Sequence, residues 1–158
     1  MNLQYKTANT TQEFGDGKKL FEAYTKTLNL DFVSQELAKE FTVFDQQYNF
    51  PSGALLLTYD DANAIACAGI RKIDNETAEL RRLFVLPEYR KQNIGKRLLE
   101  LGLDSAKKLN YKKVRLDSLP AMIQAQTLYR SMGFYEIPAY RFNPIPGAIF
   151  MEKIIDSN

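Results

Sequence analysis

The stretch Ala78–Leu119 constrains the fold more than any other part of the chain. It reads "AELRRLFVL", the basic turn "PEYRKQNIG", the leucine-rich run "KRLLELGLDSAKKLN", and then "KKVRLDSL" after Tyr111. Ala78–Leu86 reads as a strand closed by Pro87. Ile94, Leu98, Leu101, Gly102 and Ala106 recur at helical spacing, with Leu99 and Leu103 widening the face, and Asn110 is a stop signal. Lys112–Leu119 is again a strand. A strand, a helix and a strand in this order require a right-handed crossover and two parallel strands.

The flanking segments extend that unit. Leu3–Ala8 alternates as a first strand. Asp16 or Gly17 caps a helix through "KKLFEAYTKTLNL", where Leu20, Phe21, Tyr24 and Leu28 share a face. Ser34 caps a second helix, "QELAKEFTVF". After the turn Asn49–Gly53, Ala54–Tyr59 and Ala64–Ile73 form a hairpin around "DDAN". Ala121–Met132 is a helix, with Gly133 in the left-handed position after it. "FYEIPAY" and "GAIFMEKII" are the last strands.

At 158 residues the chain reads as one domain, residues 1–158, with 45% hydrophobic and 25% charged residues. A net charge of +2 does not call for a nucleic-acid partner. One cysteine and no histidine leave no disulfide framework, no expected metal site, and no Ser-His-Asp or Cys-His mechanism. Proton chemistry falls to Glu, Asp, Tyr, Lys, Cys or water. The polar start "MNLQYKTANTTQEF" carries no signal core, and no apolar run approaches the roughly 18 residues that span a membrane. A cytoplasmic protein is expected.

The basic turn sits where a helix begins. The first turn of a helix leaves backbone N–H groups unpaired and carries partial positive charge. Arg90, Lys91 and Lys96 add charge around it, Gly95 offers backbone freedom, and Asn93 tolerates positive φ. Such a turn is either an anion cradle or a solvated basic loop.

The segment "RRLFVLPEYRKQNIGKRLLELGLDSAKKLNYKKVRLDS", followed by "AQTLYRSMGF", resembles the GNAT superfamily of acyl-CoA-dependent N-acyltransferases. The family's phosphate loop, Gln/Arg-x-x-Gly-x-Gly/Ala, is matched by Arg90-Lys91-Gln92-Asn93-Ile94-Gly95, with Asn93 in place of the first glycine. Met122 stands where an asparagine often opens the late helix. The resemblance covers about Leu55–Phe150, and within the family it is to small stand-alone bacterial members of undefined acceptor. It implies an α/β (α+β) fold: a mixed, mostly antiparallel sheet with one splayed parallel strand pair and flanking helices.

It also implies a chemistry: transfer of an acetyl group from acetyl-CoA to a primary amine by direct attack in a ternary complex. The pyrophosphate would rest on Lys91, Gln92, Asn93, Ile94, Gly95 and Lys96. The pantetheine arm would pair with Leu83, Phe84 and Val85. That requires this strand to splay from "RLDSL". Tyr129 is the candidate proton donor to the departing thiolate; its other reading is a core tyrosine. Glu79 is the candidate base, six residues before Val85, on a face shared with Arg81, Leu83 and Val85 by strand alternation. Its other reading is a carboxylate paired with Arg81 or Arg82, with a water chain as base.

Asp117 orients an amine, pairs Arg115 or caps the following turn, and Tyr140 and Arg141 either pack or line the acceptor cleft. Cys67 reads as a buried hydrophobe. The rival reading is a non-catalytic acyl-CoA-binding sensor. Acetyl-CoA and an amine are the expected partners, with no membrane, no nucleic acid and no metal, and a homodimer through the last strands.

Overall fold

The computed structural model describes residues 1–155. β1 (Leu3–Thr7) leads into α1 (Thr11–Leu28), α2 (Asp31–Phe41) and the single turn α3 (Phe44–Gln47). β2 (Ala54–Asp60), β3 (Asn63–Lys72) and β4 (Thr77–Val85) follow as an antiparallel meander. A 3-10 turn (Pro87–Tyr89) and α4 (Ile94–Lys108) carry the chain to β5 (Lys113–Ser118). α5 (Ile123–Ser131), β6 (Tyr135–Ile137) and β7 (Ile149–Ile154) complete the order. The strands form one mixed sheet, β1-β2-β3-β4-β5-β7-β6, in which only the β4–β5 neighbours run parallel.

Two helix starts differ from the sequence reading. α1 begins at Thr10, well before Asp16 or Gly17. The Thr10 side chain accepts from the Glu13 N–H, and Glu13 Oε1 accepts from the Thr10 N–H, a reciprocal capping box. Gly17 is therefore helical, and its job is close packing: a Cβ there would lie 2.4 Å from Leu55 Cδ2 on β2. α2 starts at Asp31, so Ser34 is inside it, with its N–H bonded to the Leu30 carbonyl. The expected single run to Phe44 breaks at Thr42, and α3 follows separately.

The sheet separates two cores. α1, α2 and α3 with its C-cap cover one face with Phe14, Phe21, Leu37, Phe44 and Tyr48 against Leu55, Leu57, Cys67 and Phe84. α4 covers the other with Leu98, Leu99 and Leu103 against Leu56, Ile70, Leu80 and Val114. Alternation along β2 sends Leu55 and Leu57 one way and Leu56 the other, as a two-residue period demands.

β4 breaks that period. Arg82 lies in the left-handed region, φ 53°, and the β3–β4 register shifts between Cys67 and Gly69. This bulge turns later side chains over. Before it, Ala78 and Leu80 enter the α4-side core, while Arg81 meets Glu36 and Glu40 of α2. After it, Leu83 and Val85 pack on the α4 side and Phe84 on the α1 side. The expected common face of Glu79, Arg81, Leu83 and Val85 is thus corrected: Leu83 and Val85 belong to the opposite face from Glu79 and Arg81.

Candidate active site

The parallel strands pair only at their starts. Thr77, Ala78 and Glu79 are in register with Lys113, Val114 and Arg115, and there the ladder ends. From Leu116 on, β5 keeps its partner β7 but has none in β4. The sheet forks, as the resemblance implied, and the β4 backbone from Leu80 onward is open on that side. Val85 lies at the open end, and its carbonyl accepts from Arg90 Nε at 3.0 Å.

α4 starts at the same end. Asn93, φ 60°, precedes it without a side-chain cap, and the first intrahelical bond runs from the Arg97 N–H to the Asn93 carbonyl. The N–H groups of Ile94, Gly95 and Lys96 therefore precede the hydrogen-bond ladder. Asn93 takes the positive φ that a glycine would otherwise supply, and Lys91 takes a second, φ 66°. Gly95 does not need its freedom, because it is helical. A Cβ there would meet nothing nearer than Val85 Cγ2 at 3.9 Å, so the surface above it is clear. Arg90, Lys91, Gln92, Asn93 and Lys96 are exposed around it, and Ile94 is buried beneath. Unpaired donors, surrounding cations and a bare approach fit a pyrophosphate.

Tyr129 lies on α5 in the α4-side core, 8% exposed, its ring 5.7 Å from that of Phe134. Among the described residues its hydroxyl has no hydrogen-bond partner. Burial, then Tyr24 and Asp117, push its pKa above the ordinary tyrosine value, so it stays protonated at neutral pH. Tyr24 belongs to α1, on the other side of the sheet. It stacks on Phe84 at 5.3 Å, and its hydroxyl meets Met122 Sδ at 3.3 Å at the start of α5. Burial pushes Tyr24 up to about 12. Gln126, buried on α5, ties that helix to the end of β5. It donates to the Leu119 carbonyl at 2.8 Å and to Ser118 Oγ at 3.3 Å.

A solvent-open cleft enters the fork from the α1–α2 side. Its walls include Tyr24, Glu36, Arg81, Arg82, Asp117 and Arg141. Arg141 comes from the loop between β6 and β7. It donates to Glu36 Oε2 at 2.6 Å and Asp117 Oδ2 at 2.8 Å, and it lies 3.2 Å from Glu79. Asn143 of the same loop also donates to Asp117 Oδ2, at 3.0 Å. Among the described residues Asp117 Oδ1 has only Arg81 Nη1, at 3.9 Å, and accepts no hydrogen bond.

Glu79 stands behind this wall, its side chain 1% exposed. Oε1 accepts from Arg71 at 2.8 Å, and Oε2 accepts from the Tyr140 hydroxyl. Burial works to raise its pKa, but Arg81, Arg71 and Arg141 with the Tyr140 bond outweigh it and hold the carboxyl below its ordinary value. Glu40 behaves likewise: burial opposes, Arg81 and Arg82 prevail, and its pKa falls to about 2. Burial pushes the Cys67 thiol up, and the residue is fully enclosed. Arg115, one expected partner of Asp117, instead bonds Glu152 at 2.7 Å.

Sequence reasoning missed Arg82, Glu40, Glu36, Tyr24 and Gln126 as site residues. Only Tyr24 left a trace, a polar tip on an otherwise apolar helical face. Among the described residues no carboxylate or cysteine cluster could hold a metal, and no helix is long and apolar enough to cross a membrane.

Comparison with known proteins gives the class to which the fold belongs. Residues 21–134 match the acetyltransferase (GNAT) family. The chain belongs to this family, and its enzyme class is N-acetyltransferase. An uncharacterized N-acetyltransferase of Schizosaccharomyces pombe is 28% identical over 152 residues, covering 95% of this chain and 93% of the relative. An acetyltransferase from Streptococcus agalactiae shares the fold with a TM-score of 0.80 at 17% identity, over 98% and 99% of the two chains. The PaiA N-acetyltransferase of Thermoplasma acidophilum, solved with coenzyme A, has a TM-score of 0.72 at 19% identity, over 98% and 99%.

Proposed function

We propose that this chain transfers the acetyl group of acetyl-CoA to a primary amine by direct attack within a ternary complex. The observation that carries this reading is the fork. β4 loses its parallel partner after Glu79, the start of α4 lies against Val85 at the open end, and residues of both strands, Leu80–Arg82 and Asp117–Ser118, line the cleft. Lys91–Lys96 hold the pyrophosphate on the N–H groups of the α4 start, aided by Arg90. Leu83, Phe84 and Val85 offer backbone to the pantetheine arm, with the Arg90 side chain leaving the Val85 carbonyl to admit it. Bound there, acetyl-CoA supplies an activated acetyl group as a thioester.

The chain's own groups then manage the protons. Asp117 Oδ1, free of hydrogen bonds at the cleft wall, accepts an N–H of the incoming amine and orients its lone pair. The amine nitrogen bonds the acetyl carbon, the carbon–sulfur bond breaks, and Tyr129 gives its proton to the leaving sulfur. The proton released by the amine passes through cleft water and restores Tyr129. Glu79, with both oxygens engaged, acts as a positioning residue: it fixes Arg141 and Tyr140, and so holds Asp117 in place.

The test is free-thiol release from acetyl-CoA with a pool of primary amines, beside calorimetry of CoA binding. Amine-dependent thiol release supports the reading. CoA binding without thiol release for any amine would make the chain a sensor instead.

A further inference from the structure

We infer that Tyr24 is a second acceptor for the attacking amine: its phenolic oxygen and Asp117 Oδ1 each take one N–H of a neutral primary amine, and the lone pair is left to face the fork. This deepens the acetyltransferase reading above and rests on it. The Tyr24 hydroxyl has its hydrogen committed and its oxygen open. It donates to Met122 Sδ at 3.3 Å, and among the described residues nothing donates to the oxygen itself. A tyrosine hydroxyl both donates and accepts, whereas a thioether sulfur only accepts, and weakly. The contact with Met122 therefore aims the hydrogen at the start of α5 and leaves the oxygen's lone pairs for a donor from outside the chain.

Tyr24 stands at the mouth of the fork. It comes from α1, rests its ring on Phe84 of β4 at 5.3 Å, and ends on Met122, which caps α5 shortly after β5. It thus touches both arms, β4 and the segment that follows β5. Tyr24, Asp117 and Met122 line one cleft, and neither Tyr24 nor Asp117 is fully enclosed. Asp117 Oδ1 also accepts no hydrogen bond among the described residues. The cleft wall therefore carries two open acceptors of different kinds. They lie within electrostatic reach of each other and of Tyr129. Asp117 adds to burial in raising the pKa of both tyrosines, and Tyr24 adds to burial in raising that of Tyr129.

An amine that attacks a thioester must be neutral, since an ammonium has no lone pair to give. A neutral primary amine has two N–H donors beside its lone pair. One acceptor leaves the nitrogen free to turn about that bond. Two acceptors fix the direction of the lone pair, the orientation that direct attack needs. Tyr24 keeps its own proton throughout, because burial pushes its pKa up to about 12 against Arg82 and Arg81. It orients the amine and takes no proton from it, so the protons of the transfer move as described above. The pair makes the site selective for primary over secondary amines, because N-methylation removes the N–H that one acceptor needs.

The test is thiol release from acetyl-CoA with n-butylamine and 2-phenylethylamine, each beside its N-methyl derivative, which has one N–H left. Tyr24→Phe keeps the ring on Phe84 and loses only the oxygen. It should lower kcat/KM for the primary amines by roughly 3–10-fold, the worth of one hydrogen bond, and leave the N-methyl derivatives nearly unchanged. The steric cost of the methyl group is common to both proteins and cancels in this comparison. Calorimetric affinity for acetyl-CoA should match the parent. Met122→Leu keeps the bulk but frees the hydroxyl hydrogen to turn. It should narrow the primary-to-secondary ratio in the same direction by less, and it supplies the comparison should Tyr24→Phe not fold. Equal slowing of primary and N-methyl amines by Tyr24→Phe, or no slowing of either, would overturn the inference. So would Met122→Leu slowing primary amines as much as Tyr24→Phe, since the hydroxyl would then only tie α1 to α5. Weaker acetyl-CoA binding by Tyr24→Phe would place the hydroxyl on the thioester instead of the amine, and overturn it too. Thiol release with no amine, from a protein that binds acetyl-CoA, would overturn the acetyltransferase reading and this inference with it.

Discussion

Replacing Tyr129 by Phe removes one oxygen and keeps the ring on Phe134. The structure gives opposite signs for stability and for chemistry. The Tyr129 hydroxyl has no hydrogen-bond partner among the described residues and is not fully enclosed, so the fold loses no bond with it. Burying an unpartnered hydroxyl costs about 1–3 kcal/mol, and Tyr129 retains 8% exposure, which places the gain toward the lower end. One kcal/mol in a chain of this size moves Tm by about 2–4 °C. Tyr129→Phe should therefore melt at a temperature equal to or a few degrees above the parent. Meanwhile loss of a general acid should slow thioester cleavage by about 10²–10⁴-fold. The assay is single-turnover thiol release with protein in excess over acetyl-CoA, so that product release does not mask the chemical step. Acetyl-CoA affinity, measured by calorimetry, should be unchanged. Burial keeps the parent hydroxyl protonated past its ordinary value. Its loss of activity by ionisation should therefore begin only above pH 10, whereas the Phe variant should be slow at every pH. An unchanged single-turnover rate, or a melting temperature several degrees lower, would refute the reasoning.

Two further outcomes follow from the cradle and the ion network. Gly95→Asp should fold normally, since a Cβ there meets only Val85 at 3.9 Å. Its carboxylate should weaken CoA binding by at least 10-fold, about 1.4 kcal/mol, and equal calorimetric affinities would defeat the cradle. Glu40 and Glu79 have folded-state pKa values below their unfolded value of about 4.3. The stability they contribute is present above that value and lost as pH falls through the folded values. The urea midpoint should be level from pH 7 to 5 and drop steeply from about pH 4 toward 2, with Glu40→Gln less stable at pH 7 and flatter in acid. A midpoint unmoved between pH 5 and 3 would count against it.

The sequence alone determined the strand–helix–strand crossover and its parallel strand pair; the fork was expected only from the family resemblance. The apolar spacing of α4 and the alternation in "KVRLDS" are local properties that hold in any context. The left-handed turn at Asn93 was legible for the same reason, because it depends on one residue's backbone preference. The start of α1 was legible in principle: Thr10 and Glu13 carry the capping-box spacing, but Asp16 and Gly17 imitate a cap more loudly. Tertiary structure decided the rest. The bulge at Arg82 has no marker in "ELRRLFV", since a positive φ at arginine is imposed by the register against β3. That single shift of register put Leu83 and Val85 on the α4 side of the sheet, opposite Glu79 and Arg81. The cleft network was likewise illegible. Glu36, Glu79, Asp117 and Arg141 lie up to 105 residues apart, and only the return of the β6–β7 loop across the fork brings their charges together. Charge pairs of that kind are chosen by burial, which no local pattern of residues records.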